Sequence, residues 1–330
     1  MVSFPFLGIA ALTALPVTKA VPTGLDNLAR RQAITALSES QINYFTPYTL
    51  YASAAYCPSA ELAVWACGVN CQAIPQFEPV AAGGDGNLVQ YWYVGFDPTL
   101  DSVIVAHQGT DPAALLADLT DVNLIQEALD PTLFPGLSTD ILVHSGFANE
   151  QSLTAADVLS AVQETMAKYG VNQVTIVGHS LGKFSSFLTA FNLSDQSDTQ
   201  ERQSPFSTPY TFLFIFRTRR SLISDTAFHE WVGNQAFANY VDAGLTNVTH
   251  VNDKKDVIAI VPPTSLGFIH PSGEVHIEDW GDWDACPGQE NPSPLCIVGD
   301  VPTVLQGNIV DHLGPYNGIW IGCGVQTIIP

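Results

Sequence analysis

Gly178-His179-Ser180-Leu181-Gly182 constrains this chain more than any other stretch. It follows Val174-Thr175-Ile176-Val177, a β-branched run that reads as a buried strand. A serine between two glycines after such a strand fits a nucleophile elbow, a turn too sharp for Cβ atoms at its flanks. The turn lifts the Ser180 Oγ above the sheet edge and implies ester or acyl chemistry. The same five residues also fit a Gly-rich turn with a surface serine, so partners must decide.

A serine hydroxyl is a poor nucleophile at neutral pH and needs a base, which in turn needs an orienting carboxylate. In the elbow arrangement the chain order is Ser, Asp or Glu, His. Residues 248–252 read as a strand, followed by Asp253-Lys254-Lys255-Asp256 and an apolar run at 257–261. Asp256, adjoining the apolar run, is the expected carboxylate. Asp253 is the alternative, and a solvated charged turn is the plain reading of both. Four histidines lie from this strand onward: His250 within it, His270 before a proline, His276 alternating with Val275 and Ile277, and His312 in a turn-rich loop near the end. The late, loop-borne His312 is the expected base. For the oxyanion hole, the N–H of Leu181 follows from its place after the nucleophile. Gln108-Gly109-Thr110, ending the strand expected at 101–107, offers Thr110 as the second donor, or is a simple β-turn.

The chain opens with an apolar stretch at 4–16, too short to span a bilayer, and small residues follow at Thr18 and Ala20. A signal peptide over 1–20 is expected. Arg30-Arg31 reads as a processing site or an ordinary exposed pair; the first gives a propeptide at 21–31 and a mature domain at 32–330. No later apolar stretch reads as a membrane span. The expected product is extracellular and monomeric. A formal net charge of −21 argues against a nucleic-acid partner, because phosphate binding needs clustered Lys and Arg. Six cysteines, Cys57, Cys67, Cys71, Cys286, Cys296 and Cys323, favour disulfides over metal in a secreted chain. Fifteen pairings are open. Proximity suggests Cys67–Cys71 and Cys286–Cys296, leaving Cys57–Cys323. Neither a cofactor nor a metal is expected.

Residues 32–60 read as helical, 88–96 as a strand, and 150–169 as an amphipathic helix with Leu153, Val158, Val162 and Met166 on one face, stopped by Gly170. Helix then strand, repeated, means a sheet at least partly parallel: an α/β fold with a central, mostly parallel sheet flanked by helices.

These residues together resemble the fungal class 3 lipases, a secreted α/β-hydrolase family. The matching segments are Tyr56-Cys57, Gln108-Gly109-Thr110, Ala117-Asp118-Leu119, Val143-His144-Ser145-Gly146-Phe147, the elbow, Asp256-Val257-Ile258 and Asp311-His312-Leu313. The resemblance implies a Ser180, Asp256 and His312 triad, an oxyanion hole of Thr110 and Leu181, and the three disulfides above. It also implies a lid over Asp111, Pro112, Ala113, Ala114, Leu115, Leu116 and Ala117, running to Asp118, whose apolar side would meet a lipid surface. A packed surface helix is the plainer reading of that stretch. Feruloyl esterases of the same family tend toward a more polar lid, so acylglycerols are the expected substrates and aromatic esters the alternative.

Residues 183–231 depart from the family. Lys183-Phe184-Ser185-Ser186-Phe187 stands where small residues should begin a helix packed under the sheet. Five of the eight Lys and Arg residues from Gln32 onward fall in this stretch. It is either a genuine insertion or a gene-model fault. The second is preferred, because Gly182-Lys183-Phe184 can be encoded with the splice-donor string GTAAGT. If real as written, the stretch implies poor folding or an inactive product. Asn247-Val248-Thr249 is an expected glycosylation sequon.

Overall fold

The β-branched run before the elbow is the inner edge of a sheet built on period-2 alternation. The computed structural model describes residues 33–110, 125–182, 185–186, 188–189, 233–245 and 248–325. The expected leader, propeptide, lid and Asn247, with most of 183–231, lie outside the described residues. Strands are β1 (Thr35–Ala36), β2 (Glu78–Gly83), β3 (Trp92–Asp97), β4 (Ser102–His107), β5 (Gln126–Ala128), β6 (Leu142–His144), β7 (Val174–Gly178), β8 (His250–Asp253), β9 (Glu274–Ile277) and β10 (Trp283–Cys286). The longer helices are α1 (Glu39–Ala54), α2 (Ser145–Tyr169) and α3 (Gln235–Gly244).

One sheet runs β2-β3-β4-β7 and a second runs β1-β10-β9-β8. Among the described strands both are mixed rather than mostly parallel: β4–β7 and β8–β9 are parallel and the other pairings antiparallel. In the first sheet, Val103 and Val105 face α2, where they meet Val158, Val162 and Met166, while Ile104 and Ala106 face Tyr48 and Tyr51 of α1. Each such buried aliphatic side chain contributes about 1.5–3 kcal/mol, so the strand is clamped from both sides.

The sequence expectations shift at several edges. Residues 32–60 are not helical throughout, because Thr35 and Ala36 pair with Ala285 and Asp284 before α1 begins. Strand β3 starts at Trp92, later than Leu88, and α2 starts at Ser145, earlier than Glu150. Leu153 is exposed and does not share the buried face of α2. Gly170 does end that helix, in a left-handed conformation with φ 70°. All three disulfides form as proximity suggested: Cys57–Cys323, Cys67–Cys71 and Cys286–Cys296.

Candidate active site

The parallel register between β4 and β7 builds the site. His107 pairs with Gly178, so the residues after each strand emerge side by side: Gln108-Gly109-Thr110 and His179-Ser180-Leu181. Gln108 clamps its loop to β3, since its N–H donates to the Tyr91 carbonyl at 2.8 Å and its Oε1 accepts from the Tyr91 N–H at 2.9 Å. The two loops approach so closely that Gly109 cannot carry a side chain. A Cβ there would lie 2.2 Å from the His179 carbonyl oxygen and 2.7 Å from the Ser180 Cβ. At Gly182 a Cβ would lie 2.2 Å from the His107 carbonyl oxygen. Gly182 of the pentapeptide and Gly109 of the 108–110 loop thus serve one contact.

Ser180 has φ 56°, the left-handed region that a non-glycine residue adopts at a cost, and it is buried. Helical backbone begins at Leu181, which is half-buried. Ser186 then ties helix to strand, its hydroxyl donating to the carbonyls of Val177 and Gly182, both at 2.8 Å. Ser185 and Leu188 are also buried, and Thr189 hydrogen-bonds His107 Nε2 at 3.2 Å. The described residues just past the elbow are therefore helical and packed, despite a composition unlike the family's.

Asp256 and His312 come together from 56 residues apart. Asp256 follows the end of β8, where its N–H donates to the Asp253 carbonyl at 3.1 Å. Its Oδ1 accepts from the Ile258 N–H at 2.9 Å, and its Oδ2 lies 3.1 Å from His312 Nδ1. Both side chains are buried. Burial disfavours charge on each: it pushes the imidazole down to about 3 and the carboxyl well above its ordinary value, the latter opposed by the N–H groups of Ile258 and Ala259. Burial thus favours the neutral imidazole, the form that can take up a proton.

Asp253 is also buried, but its carboxylate faces Lys254, at 3.5 Å. His250 Nε2 faces the Pro271 carbonyl at 3.1 Å, His270 pairs with Glu290 at 2.7 Å and His276 faces Asp300 at 3.5 Å. Of these four histidines, His312 is the one paired with Asp256. Thr110 is buried at the end of its loop. The hydroxyls of Ser180 and Thr110 have no hydrogen-bond partner among the described residues. Catalytic hydrogen bonds commonly tighten only with substrate present. His179, next to Ser180, donates from Nε2 to the His312 carbonyl oxygen at 2.8 Å, and the two rings stand 4.7 Å apart. That contact brings the histidine loop against the elbow. Sequence reasoning passed over His179 and its second partner, Tyr56; a histidine inside the pentapeptide and a tyrosine beside a cysteine were the available signals.

The class 3 lipase profile matches residues 104–266, a span that runs from β4 through the elbow to the Asp256 loop. Over that span the chain is similar to the class 3 lipases. A relative from Malassezia globosa, the secreted mono- and diacylglycerol lipase MDL2, is 28% identical over 245 residues, 73% of this chain and 72% of its own length. A lipase of Rhizomucor miehei is 26% identical over 74% of this chain and 61% of its own. Among solved structures, lipase II from Rhizopus niveus is similar at 25% identity and a TM-score of 0.67, covering 86% of this chain and 97% of that one. The native Rhizomucor miehei lipase propeptide complex has the same fold at 21% identity and a TM-score of 0.71, over 89% and 85%. These similarities support the α/β-hydrolase fold and the reaction class, carboxylic ester hydrolysis.

Proposed function

We propose that this chain is a secreted, monomeric lipase that hydrolyses acylglycerols through an acyl-enzyme on Ser180. The observation that carries the reading is the buried Asp256–His312 pair held against the elbow by His179. In the proposed cycle, Ser180 Oγ attacks the ester carbonyl and His312 Nε2 takes its proton. The N–H groups of Leu181 and Thr110, with the Thr110 hydroxyl, stabilise the oxyanion. His312 then delivers the proton to the departing alcohol, and Asp256 stabilises the imidazolium in between. Water, deprotonated by His312, releases the fatty acid and restores the serine.

The substrate class rests on the relatives, several of which are named secreted mono- and diacylglycerol lipases. The disulfides support an oxidising compartment. No helix among the described residues is long and apolar enough to cross a membrane. Residues 111–117 serve as the lid in this reading, and Asn247 as a glycan acceptor.

The test compares hydrolysis of diacylglycerol and triacylglycerol emulsions with that of methyl ferulate, using the full chain and Ser180→Ala. Emulsion turnover that Ser180→Ala abolishes supports the reading. Faster turnover of the aromatic ester overturns the acylglycerol assignment, and undiminished turnover by Ser180→Ala overturns the nucleophile.

A further inference from the structure

The carbonyl of His312 can only accept hydrogen bonds, so the His179 Nε2 that lies 2.8 Å from it carries a hydrogen and donates. In the neutral ring Nδ1 is then an acceptor, and it receives the Tyr56 hydroxyl at 2.5 Å. Tyr316 donates to the same His312 carbonyl at 3.2 Å. A chain of donors, Tyr56 to His179 to His312, therefore crosses the interior, its tautomer set by the acceptor-only carbonyl and matched by the phenol. Its ends are anchored. Tyr56 adjoins Cys57, which is joined to Cys323. The Leu313 carbonyl accepts from the Ile321 N–H at 3.0 Å. The Tyr56 hydroxyl also presses on the oxyanion loop, lying 2.5 Å from where a Cβ on Gly109 would be.

We propose that His179 is a positioning residue that, held by Tyr56, fixes the His312 peptide to the elbow and so aligns the His312 imidazole with Ser180 Oγ. The inference rests on the reading of Ser180 as nucleophile and His312 as base. The bond runs from the residue adjoining Ser180 to the peptide that carries the imidazole. Both reacting atoms are thus within one residue of it, and any rotation of the His179 ring shifts one against the other. A misplacement of 1 Å costs about 100-fold in rate. Tyr56 acts one step back, by holding the His179 ring in place through its hydrogen bond to Nδ1.

The test measures kcat and KM on a soluble short-chain ester for the full chain and for His179→Leu, His179→Gln, Tyr56→Phe and Ser180→Ala. His179→Leu is expected to lower kcat by about 10- to 100-fold with KM within about threefold, because alignment and not binding is lost. His179→Gln, whose amide nitrogen can still reach the carbonyl, is expected to recover kcat to within about fivefold of the parent. Tyr56→Phe falls between the two. A His179→Leu kcat within about twofold of the parent overturns the proposal. So does a His179→Gln enzyme as impaired as His179→Leu, which would indicate packing alone. If His179→Leu does not fold, an unchanged kcat in Tyr56→Phe overturns it instead. An inactive Ser180→Ala beside a normal His179→Leu defeats only this inference, whereas an active Ser180→Ala defeats the catalytic reading beneath it.

Discussion

The two four-stranded sheets follow the same period-2 rule and bury opposite kinds of side chain. In β4 and β7, both faces of the sheet are packed with aliphatic groups: Val103, Val105 and Ile176 on one side, Ile104, Ala106 and Val177 on the other. In the second sheet one face is apolar, with Val251, Val275 and Ile277 against Trp283, Tyr56 and Tyr316. The other face places His250, Asn252, Glu274, His276 and Asp284 in register, all buried. The nucleophile thus stands on a support whose strand faces are aliphatic, with His107 at the end of β4 as the buried titratable group beside it, its value lowered by burial to about 4. The acid and base of the candidate triad stand beside a buried field of ionisable groups. The difference assigns rigidity to one half and pH sensitivity to the other.

Truncation of the aliphatic half should give the largest stability effect. Ile104→Ala leaves a cavity between β4 and α1 and is expected to cost about 2–5 kcal/mol in unfolding free energy at any pH from 5 to 8. Denaturant titration at two pH values checks this, and a cost that varies strongly with pH would break the contrast between the halves.

The charged half should respond to pH instead. Burial raises Asp253 and Glu274 to about 7, above their unfolded values near 4. Their favourable contribution is complete below about pH 4 and is lost as pH rises through 7. His312 has the opposite sign: with its value lowered to about 3, its contribution is present above about 6.5 and declines as pH falls. Glu274→Gln keeps an acceptor for the Ile297 N–H, which lies 2.7 Å from Oε1. The substitution is expected to flatten the decline between pH 4 and 7 and to gain roughly 1–3 kcal/mol at pH 8 relative to pH 4. Unfolding curves across that range that keep the parental slope would contradict the assignment. The smallest effect belongs to Leu153→Gln, within about 0.5 kcal/mol by thermal or denaturant melting, because Leu153 faces solvent.

The contrast also explains what the sequence made legible. The elbow, its strand and the register partner at 108–110 are local patterns of β-branched residues and glycines, readable at sight. Val158, Val162 and Met166 lay on the expected helical face, whereas Leu153 showed that spacing alone does not decide which residues the sheet reaches. Asp256 could be preferred over Asp253 from its apolar neighbours, yet both proved buried, and only the contact with His312 separates them. The alternation of His276 with Val275 and Ile277 indicated a strand face, but alternating polar residues ordinarily face water. Here they find partners in residues 297–300: Asp300 faces His276, and the Ile297 N–H donates to Glu274. The contacts of His179 with Tyr56 and His312 span 123 and 133 residues, and no local pattern encodes such a pairing.

The measurement that addresses the centre of this account is kcat on a soluble short-chain ester for Ser180→Ala, His312→Ala and the double variant, each checked for folding. If the two side chains act as one proton-transfer unit, each single substitution lowers kcat by about 10⁶-fold and the double is no worse than either. Losses that multiply in the double variant, or a His312→Ala enzyme retaining more than about a tenth of parental kcat, would contradict it.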